Sequence, residues 1–389
     1  MNIDAISLFT LPTKVLYGYN CVNRAGAEAK KLGIKKILVV TDKAIKDAGV
    51  VDPLLKNLND TGVPYEVFDE APVDPDTAIV DKGVEMLKRT ACDGVAIVGG
   101  GSALCAGKGI ALVATNGGNI RDYEGVEKYR VSPLPVIGIP TTAGSGSEVS
   151  SSFIIADEQR KSYKFSVSGY ACHPNVAILD PMLLRSLPAR QFALSGMDAL
   201  SHAVEAICTN QGTPLTDAIA YQGIELIMKN LATASLTDDL EAKGNQLFGS
   251  AVANIACGNA KLGLAHAMAT PLGSFHVPHG LANAILLPYV MEFNWPACEQ
   301  KLATMAEVIG VTTTKMTVTQ KAVAAVDAVK DLTTKLDIPD RLTDEMAPKS
   351  EIPWMSEITL TRQHVKTNIR KASKKDIEGI FERTYRGWR

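Results

Sequence analysis

The sequence lacks an excess of either charge, a long apolar run and any closely spaced pair of cysteines. Forty Lys and Arg against 42 Asp and Glu leave a formal charge of −2, which gives no electrostatic basis for binding nucleic acid. No apolar run approaches the roughly 18–20 residues of a membrane span. Residues 1–4 also lack the basic start and the apolar core of a signal peptide. We therefore expect neither a membrane protein nor a nucleic-acid-binding one.

The seven cysteines are scattered and never form a CxxC pair. This spacing argues against a disulfide framework and against a structural thiolate zinc site, and it indicates reduced thiols. Hydrophobic residues make up 46% of the chain and charged residues 21%, as in globular proteins, and 389 residues suit two domains. Composition thus predicts a cytoplasmic protein and leaves its activity open.

The two halves of the chain differ in periodicity. In the first half, short β-branched runs alternate with helical segments, which is typical of a parallel sheet covered by helices. We predict a Rossmann-like α/β domain over 1–187 and, because strand patterns fade beyond it, an all-α domain over 188–389. The predicted strands cover 36–40, 65–68, 94–98 and 135–139. The predicted helices cover 44–58, 79–89, 193–209, 216–234, 240–262, 297–309, 317–336 and 374–386.

Two polar, glycine-bearing turns follow predicted strands of the first half. One follows the strand at 94–98, and the other lies in the segment 140–148. Backbone N–H groups of such turns can hold a diphosphate, and nucleotides bind at the carboxyl ends of parallel strands. A plain strand-to-helix turn is the alternative for the first of them. The residues of this candidate dinucleotide site are Gly99, Gly100, Gly101, Ser102, Thr141, Thr142 and Ser145.

Asp42 ends the first clear strand. A carboxylate at this place can accept hydrogen bonds from an adenosine ribose and repels a 2′-phosphate, which favours NAD over NADP. Aspartate is also a preferred helix N-cap, so a purely structural role for Asp42 is an equal alternative.

All six histidines lie beyond residue 170. Asp198 and His202 stand four residues apart, which places a carboxylate and an imidazole on one face of a helix. An ordinary surface hydrogen bond is the alternative for this pair. His266, His276 and His279 follow between apolar flanks that predict burial. Because buried imidazoles need partners, one carboxylate and three imidazoles together suit a divalent cation such as Fe²⁺ or Zn²⁺.

Five segments together resemble the iron-dependent (group III) alcohol dehydrogenase family along essentially the whole chain, in particular its lactaldehyde reductase-like and 1,3-propanediol dehydrogenase-like members. The segments are the GGGS turn with Lys108, PTTAGSGSE at 140–148, the stretch from Asp180 to Glu205, HAMATPLGSFHVPHGLANAILLP from His266, and NIRKASKKDIEGIF from Asn368. The resemblance implies an N-terminal dinucleotide domain, a helical C-terminal domain and a metal in the cleft between them.

The resemblance also implies roles for individual residues. The implied metal ligands are Asp198, His202, His266 and His279. The implied nucleotide contacts are Gly100, Gly101, Ser102, Thr141, Thr142 and Lys164. Asp42 stands where the NAD-preferring members of the family carry Asp.

Three features depart from the family's pattern. Cys105 stands where the family usually has Asp, Thr270 replaces a histidine thought to relay a proton, and the spacing from His266 to His279 is one residue short. We expect Cys105 to be a packed residue beside the nucleotide turn, because no histidine motif adjoins it to activate a thiol. Thr270 and His276 are the candidate catalytic residues for proton transfer, and an ordinary loop histidine is the alternative for His276.

We expect a bound metal, Fe²⁺ with Zn²⁺ or Mn²⁺ as alternatives, to polarise the substrate oxygen while hydride passes between the substrate carbon and the nicotinamide of NAD(H). The apolar segments around the implied ligands favour a small uncharged alcohol or aldehyde as the partner molecule. A dehydroquinate synthase-like or glycerol dehydrogenase-like enzyme of the same architecture is one alternative, and a non-catalytic metal- or nucleotide-binding relative is another. The resemblance also implies a homodimer or larger homo-oligomer.

Overall fold

The computed structural model describes residues 6–160 and 163–388. The chain divides into two compact units: an α/β unit at Leu11–Leu187, and a helical unit that runs from Pro188 and includes the segment ending at Thr10. Asn259 holds that segment, since its side chain bonds both the N–H and the carbonyl of Thr10, at 2.7 and 3.1 Å. The predicted fold class, an α/β domain with an all-helical one, is confirmed. Residues 1–4, on which the signal-peptide prediction rests, lie outside the described part.

Strands occur in the α/β unit, between short helices. The strands are β1 (Lys14–Tyr17), β2 (Ile37–Val40), β3 (Tyr65–Phe68), β4 (Gly94–Gly99), β5 (Gly125–Val126), β6 (Val136–Pro140), β7 (Ser152–Asp157), β8 (Tyr163–Ser168) and β9 (Val176–Leu179). The α-helices are α1 (Ala25–Lys31), α2 (Lys43–Asp47), α3 (Asp52–Thr61), α4 (Thr77–Arg89) and α5 (Gly101–Asn116).

Six strands form one parallel sheet in the order β1-β9-β6-β4-β2-β3, and β5, β8 and β7 form a smaller sheet. The inner strands β2, β4, β6 and β9 are wholly buried, as expected of a parallel sheet whose two faces are covered. The chain leaves β2 for β3 on one side and returns to β4 on the other, so the strand order reverses between β2 and β4. Such a reversal opens a crevice at the carboxyl ends of the two strands.

The sequence predicts most of these elements and misses some. All four predicted strands are present, as β2, β3, β4 and β6, and the helix predicted over 79–89 is present as α4. The single helix predicted over 44–58 is wrong, because the chain forms α2 and α3 there. Gly49 adopts a left-handed φ of 70°, and Pro53 lies in the first turn of the second helix, so the segment breaks between them.

The helical unit contains no strand within its described residues, and no described helix is long and apolar enough to cross a membrane. The helix predicted at 297–309 is the second part of a longer helix that kinks at Cys298, and the other predicted helices of this half are present with slightly shifted ends. The helices are α6 (Ala189–Ile207), α7 (Pro214–Leu236), α8 (Leu240–Ala260), α9 (Leu264–Leu272), α10 (His279–Val308), α11 (Val318–Lys335), α12 (Ile352–Leu360), α13 (His364–Thr367) and α14 (Lys374–Arg386).

Helix α6 is the buried centre of this unit and packs against α7, α8 and α10. Two glycines permit the close packing. A Cβ on Gly196 would lie 2.1 Å from Leu231 Cδ1, and one on Gly280 would lie 2.4 Å from the carbonyl oxygen of Leu194. The close contact between Gly280 and Leu194 holds the start of α10, where His279 lies, against α6.

Candidate nucleotide turn and metal centre

The glycine turn after β4 leads directly into α5, a helix of 16 residues. Gly99 ends the strand, Gly100 is the N-cap, and Gly101 is the first helical residue. Gly100 has an extended backbone and provides no capping side chain for the first N–H groups of α5. The positive end of a helix dipole and uncapped N–H groups attract phosphate, so the turn suits a diphosphate.

The loop after β6 lies beside this turn. The N–H of Thr141 donates to the carbonyl of Gly99 at 3.0 Å, which continues the β4–β6 pairing by one residue. A Cβ on Gly100 would lie 3.2 Å from Thr142 Cγ2. The two turns are therefore adjacent at the carboxyl edge of the sheet, and their backbones approach closely.

Two further predicted residues lie around the start of α5. A Cβ on Gly101 would lie 3.1 Å from Ser145 Cβ. Lys164 Nζ lies 2.7 Å from Asp74 Oδ1, and the N–H of Asp74 donates to Ser102 Oγ at 3.3 Å. Lys164 is thus connected to the glycine turn through an acidic residue that the sequence analysis did not single out.

Asp42 lies at the end of β2, across the strand reversal from the glycine turn. Its Oδ1 accepts the N–H of Ile45 at 2.9 Å, so Asp42 is the N-cap of α2. Its Oδ2 lies 3.9 Å from the position of a Cβ on Gly99. One oxygen has the structural role, and the other lies beside the turn, so the two interpretations of Asp42 are compatible.

Three ionisable side chains lie next to the turns: Lys108 and Glu148 are buried, and Cys105 is partly buried. Burial lowers the pKa of Lys108 to about 8 and raises the pKa of Glu148 to about 7. The ammonium of Lys108 donates to the carbonyl of Ser150 at 2.8 Å. Burial also raises the pKa of the Cys105 thiol, which keeps the thiol protonated near neutral pH.

Helices α6 and α9 bring three of the predicted ligands together. Asp198, His202 and His266 are buried, and their ligand atoms lie within 4.8 Å of one another. The rings of His202 and His266 are stacked with centroids 4.6 Å apart, and Asp198 Oδ1 lies 3.7 Å from His266 Nε2. That Nε2 has no hydrogen-bond partner among the described residues. A carboxylate oxygen and imidazole nitrogens around one point suit a divalent cation.

His279, the fourth predicted ligand, lies at the edge of this group. It opens α10, its side chain is 56% exposed, and its Nε2 lies 3.6 Å from Asp198 Oδ1. Asn283, one turn further along α10, is fully buried and donates from Nδ2 to Asp198 Oδ1 at 2.7 Å. The same Nδ2 lies 3.1 Å from His279 Nε2. Asn283 is not among the residues predicted from the sequence, although its spacing of four from His279 places both on one helix face.

Glu205 is a second residue that the sequence analysis missed. It follows Asp198 by seven residues and His202 by three on α6, and this spacing places all three on one helix face. Its Oε2 lies 2.7 Å from His266 Nδ1, and its Oε1 accepts the N–H of Ala265 at 2.5 Å. The carboxylate therefore connects α6 to the beginning of α9.

Three further residues near the candidate metal ligands, Thr270, His276 and His364, differ in burial and in their contacts. Thr270 lies one turn after His266 on α9 and donates its hydroxyl to that residue's carbonyl at 3.0 Å. The predicted burial holds for His266 but is wrong for His276 and His279, which lie in and just after the open turn before α10. His276 is exposed and has a left-handed φ of 60°. His364, to which the sequence analysis assigns no role, is half-buried on α13. Burial lowers its pKa, against the opposing effect of the Glu205 carboxylate.

The chain matches known proteins over nearly its full length. The model described as "Iron-containing alcohol dehydrogenase" matches residues 12–181, and the C-terminal model of the Fe-containing alcohol dehydrogenase family matches residues 192–385. The chain is 38% identical to 1,3-propanediol dehydrogenase of Citrobacter freundii, over 97% of this chain and 98% of that protein. It is 34% identical to the NAD-dependent methanol dehydrogenase of Bacillus methanolicus, over 96% and 98%. A crystal structure of 1,3-propanediol oxidoreductase superposes with a TM-score of 0.95 at 35% identity, and the match covers 98% of this chain and 100% of that one.

Proposed function

The chain belongs to the iron-containing alcohol dehydrogenase family, and on that premise we propose that it interconverts a small primary alcohol and its aldehyde with NAD(H). The observation that carries the proposal is the buried group of Asp198, His202 and His266, with an imidazole Nε2 that has no hydrogen-bond partner among the described residues. A glycine turn at the strand reversal of the α/β unit supports the nucleotide part. The named relatives support the substrate class, since they act on 1,3-propanediol or methanol.

Four side chains are proposed to hold the metal: Asp198, His202, His266 and His279. Their donor set, one carboxylate oxygen and three imidazole nitrogens, suits Fe²⁺ and also accepts Zn²⁺ or Mn²⁺. Burial lowers the pKa of His266 well below its ordinary value, which keeps the imidazole neutral, as a metal ligand must be. A bound divalent cation supplies Lewis-acid polarisation of the substrate oxygen. Asn283 orients the Asp198 carboxylate by donating to Oδ1 at 2.7 Å.

The cofactor is proposed to lie with its diphosphate on the N–H groups at the start of α5. Gly100 and Gly101 leave that approach open because they carry no Cβ. Asp42 is proposed to accept hydrogen bonds from the adenosine ribose through Oδ2, since Oδ1 already caps α2. Its negative charge disfavours a 2′-phosphate, so NAD(H) is preferred to NADP(H). Thr141, Thr142, Ser145 and Lys164 complete the surroundings of the nucleotide.

Proton transfer is proposed to involve Thr270 before His276. The hydroxyl of Thr270 donates to the carbonyl of His266, so its oxygen is left with acceptor capacity beside a ligand of the metal. His276 lies in an exposed turn. A pH–rate profile of His276→Ala decides between them: we expect a profile and rate equal to wild type, and a lost ionisation would place His276 in the proton path.

A homodimer or larger homo-oligomer is proposed, in the cytoplasm. β1 lies at one end of the six-stranded sheet in the order of the described strands, and an edge strand can pair with a strand of another chain. Tyr17 at its end is 47% exposed, and Tyr19 just beyond is 54% exposed. Light scattering after gel filtration tests the assembly, and a monomer at micromolar concentration refutes it.

The activity is tested with metal-reconstituted protein. A panel of short aldehydes is offered with NADH or NADPH in the presence of Fe²⁺ or Zn²⁺, and oxidation of the reduced cofactor is followed by absorbance. We expect aldehyde-dependent oxidation that is faster with NADH. No oxidation with any aldehyde, metal or cofactor would refute the proposed function.

A further inference from the structure

We propose that Glu205 is a positioning residue, which holds His266 in the tautomer that can bind the metal. The inference rests on the proposed function, because it assigns a role toward the metal of that same site. Glu205 does not belong to the four proposed ligands, and it acts through His266. Its 1% exposure means that its hydrogen bonds are made within the protein and not to bulk water.

The two oxygens of the Glu205 carboxylate have different partners. Oε1 accepts the N–H of Ala265 at 2.5 Å and lies 3.4 Å from the N–H of His266. Because both partners are backbone donors, Oε1 acts only as an acceptor. Oε2 lies 2.7 Å from His266 Nδ1, and a carboxylate oxygen is an acceptor there too. With both oxygens of Glu205 as acceptors, we assign the proton to Nδ1 of His266.

The position of that proton determines whether His266 can be a ligand. A neutral imidazole carries one proton, so a proton on Nδ1 leaves the lone pair of Nε2 available. This Nε2 lies 3.7 Å from Asp198 Oδ1 and has no hydrogen-bond partner among the described residues. Glu205 thus directs the lone pair into the group of metal ligands, as carboxylates commonly do for metal-bound histidines.

Glu205 also contributes to capping α9, and this second role needs a separate control. Gly263, the N-cap of α9, has no capping side chain, and a Cβ there would lie 3.1 Å from Glu205 Oε1. Asn368 Oδ1 accepts the N–H of Leu264 at 3.2 Å. Glu205 and Asn368 therefore both satisfy N–H groups in the first turn of α9. Of these two side chains, Glu205 is the one that contacts the ring of His266.

A glutamine at this position cannot replace both acceptor oxygens. In Glu205→Gln, the single amide oxygen serves either the backbone N–H groups or Nδ1 of His266. If it serves the backbone, the amide NH₂ points at Nδ1 and selects the tautomer with the proton on Nε2. If it serves Nδ1, the two backbone N–H groups lose their acceptor, and the first turn of α9 is weakened.

The test compares Glu205→Gln with Asn368→Ala in the full-length chain. Zn²⁺ affinity is measured by competition with a chromophoric chelator, and Tm is measured on the metal-free protein. We expect Glu205→Gln to weaken Zn²⁺ binding by about 10–100-fold. Asn368→Ala should lower Tm at least as much and weaken Zn²⁺ binding only a few-fold, because it leaves the contact with His266 Nδ1 intact. Glu292→Gln is the carboxylate control: it removes the half-buried pair between Glu292 on α10 and Lys330 on α11, and it should bind Zn²⁺ as wild type does.

Two results would overturn the inference. One is an equal loss of Zn²⁺ affinity in Glu205→Gln and Asn368→Ala, because helix capping alone would then explain both. The other is wild-type Zn²⁺ affinity in a folded Glu205→Gln whose Tm equals that of wild type, because the amide NH₂ then points at Nδ1 without any effect on the metal. If that variant does not fold, Glu205→Asp takes its place, since the shorter carboxylate cannot reach Nδ1 and the backbone together. NADH binding, followed by fluorescence, should be unchanged in every variant. A wild-type chain that binds NADH but not Zn²⁺ would refute the metal part of the proposed function instead.

Discussion

The proposed nucleotide turn (Gly99–Ser102) and the proposed metal group (Asp198, His202, His266 and His279) are built from different parts of the residues: backbone in the first and side chains in the second. In the turn, the backbone is the part proposed to bind the cofactor, and Gly99, Gly100 and Gly101 leave its N–H groups accessible because they carry no side chains. In the metal group, side chains from separate helices converge, and further buried side chains such as Glu205 and Asn283 orient them. Because the two sets share no residue, substitutions should separate cofactor binding from metal binding.

The largest effect is expected from His266→Ala. The substitution removes a buried ligand atom, so we expect bound metal to fall below detection by mass spectrometry. Aldehyde-dependent NADH oxidation should fall by at least about 1,000-fold, since several kcal/mol of charge stabilisation is lost with the metal. NADH binding should persist. His173→Ala, at a half-buried histidine of the α/β unit, is the matched control, and metal retained by His266→Ala would contradict the ligand set.

The α/β unit should show its own pH dependence through Glu148. Burial raises the pKa of this carboxyl from 4.5 to about 7, so between these values the folded chain holds a proton that the unfolded chain releases. Stability therefore falls as pH rises through that window, by on the order of 3 kcal/mol. The glutamine in Glu148→Gln cannot titrate, so the Tm of this variant should fall less between pH 5 and 7 than the Tm of wild type. Calorimetry checks this, and parallel Tm curves would contradict the account.

Gly101→Val should have the opposite effect to His266→Ala: it should weaken cofactor binding and leave metal binding unchanged. The new side chain begins 3.1 Å from Ser145 Cβ and crowds the start of α5. We expect the Kd of NADH to rise by about 10–100-fold, while Zn²⁺ affinity stays at the wild-type value. Gly258→Val on α8 is the control, because a Cβ on Gly258 meets no atom within 4 Å. An equal loss of Zn²⁺ affinity in Gly101→Val would show that the two regions are not separable.

A smaller effect is expected from Asp42→Ala compared with Asp76→Ala. Both residues are N-caps, with Asp42 accepting the N–H of Ile45 and Asp76 the N–H of Ile79, each at 2.9 Å. Each alanine should cost about 1 kcal/mol of stability. Asp42→Ala should also reduce the preference for NADH over NADPH by about tenfold, because it removes the repulsion of a 2′-phosphate. Equal cofactor preferences in the two variants would leave Asp42 with the capping role alone.

The difference between a contiguous backbone turn and a group of side chains from separate helices also explains how much could be predicted from the sequence. The proposed nucleotide turn is contiguous and follows a strong strand pattern, so the strand-to-helix turn at Gly99–Ser102 could be predicted from the sequence. Asp198 and His202 could be paired by their helical spacing. The contact between Glu205 and His266 has no local pattern, because it joins residues far apart in the chain. The break at Gly49 depends on one backbone conformation, and β1 and β9 are short strands whose pairing depends on the whole sheet.

The most direct test of the account is a titration of metal-free protein with Fe²⁺ under anaerobic conditions, with aldehyde-dependent oxidation of NADH as the readout. We predict that activity is absent without metal, rises linearly and saturates at a single equivalent of Fe²⁺ per chain. Full activity in the metal-free protein, or no activity at any Fe²⁺ concentration, would contradict the account.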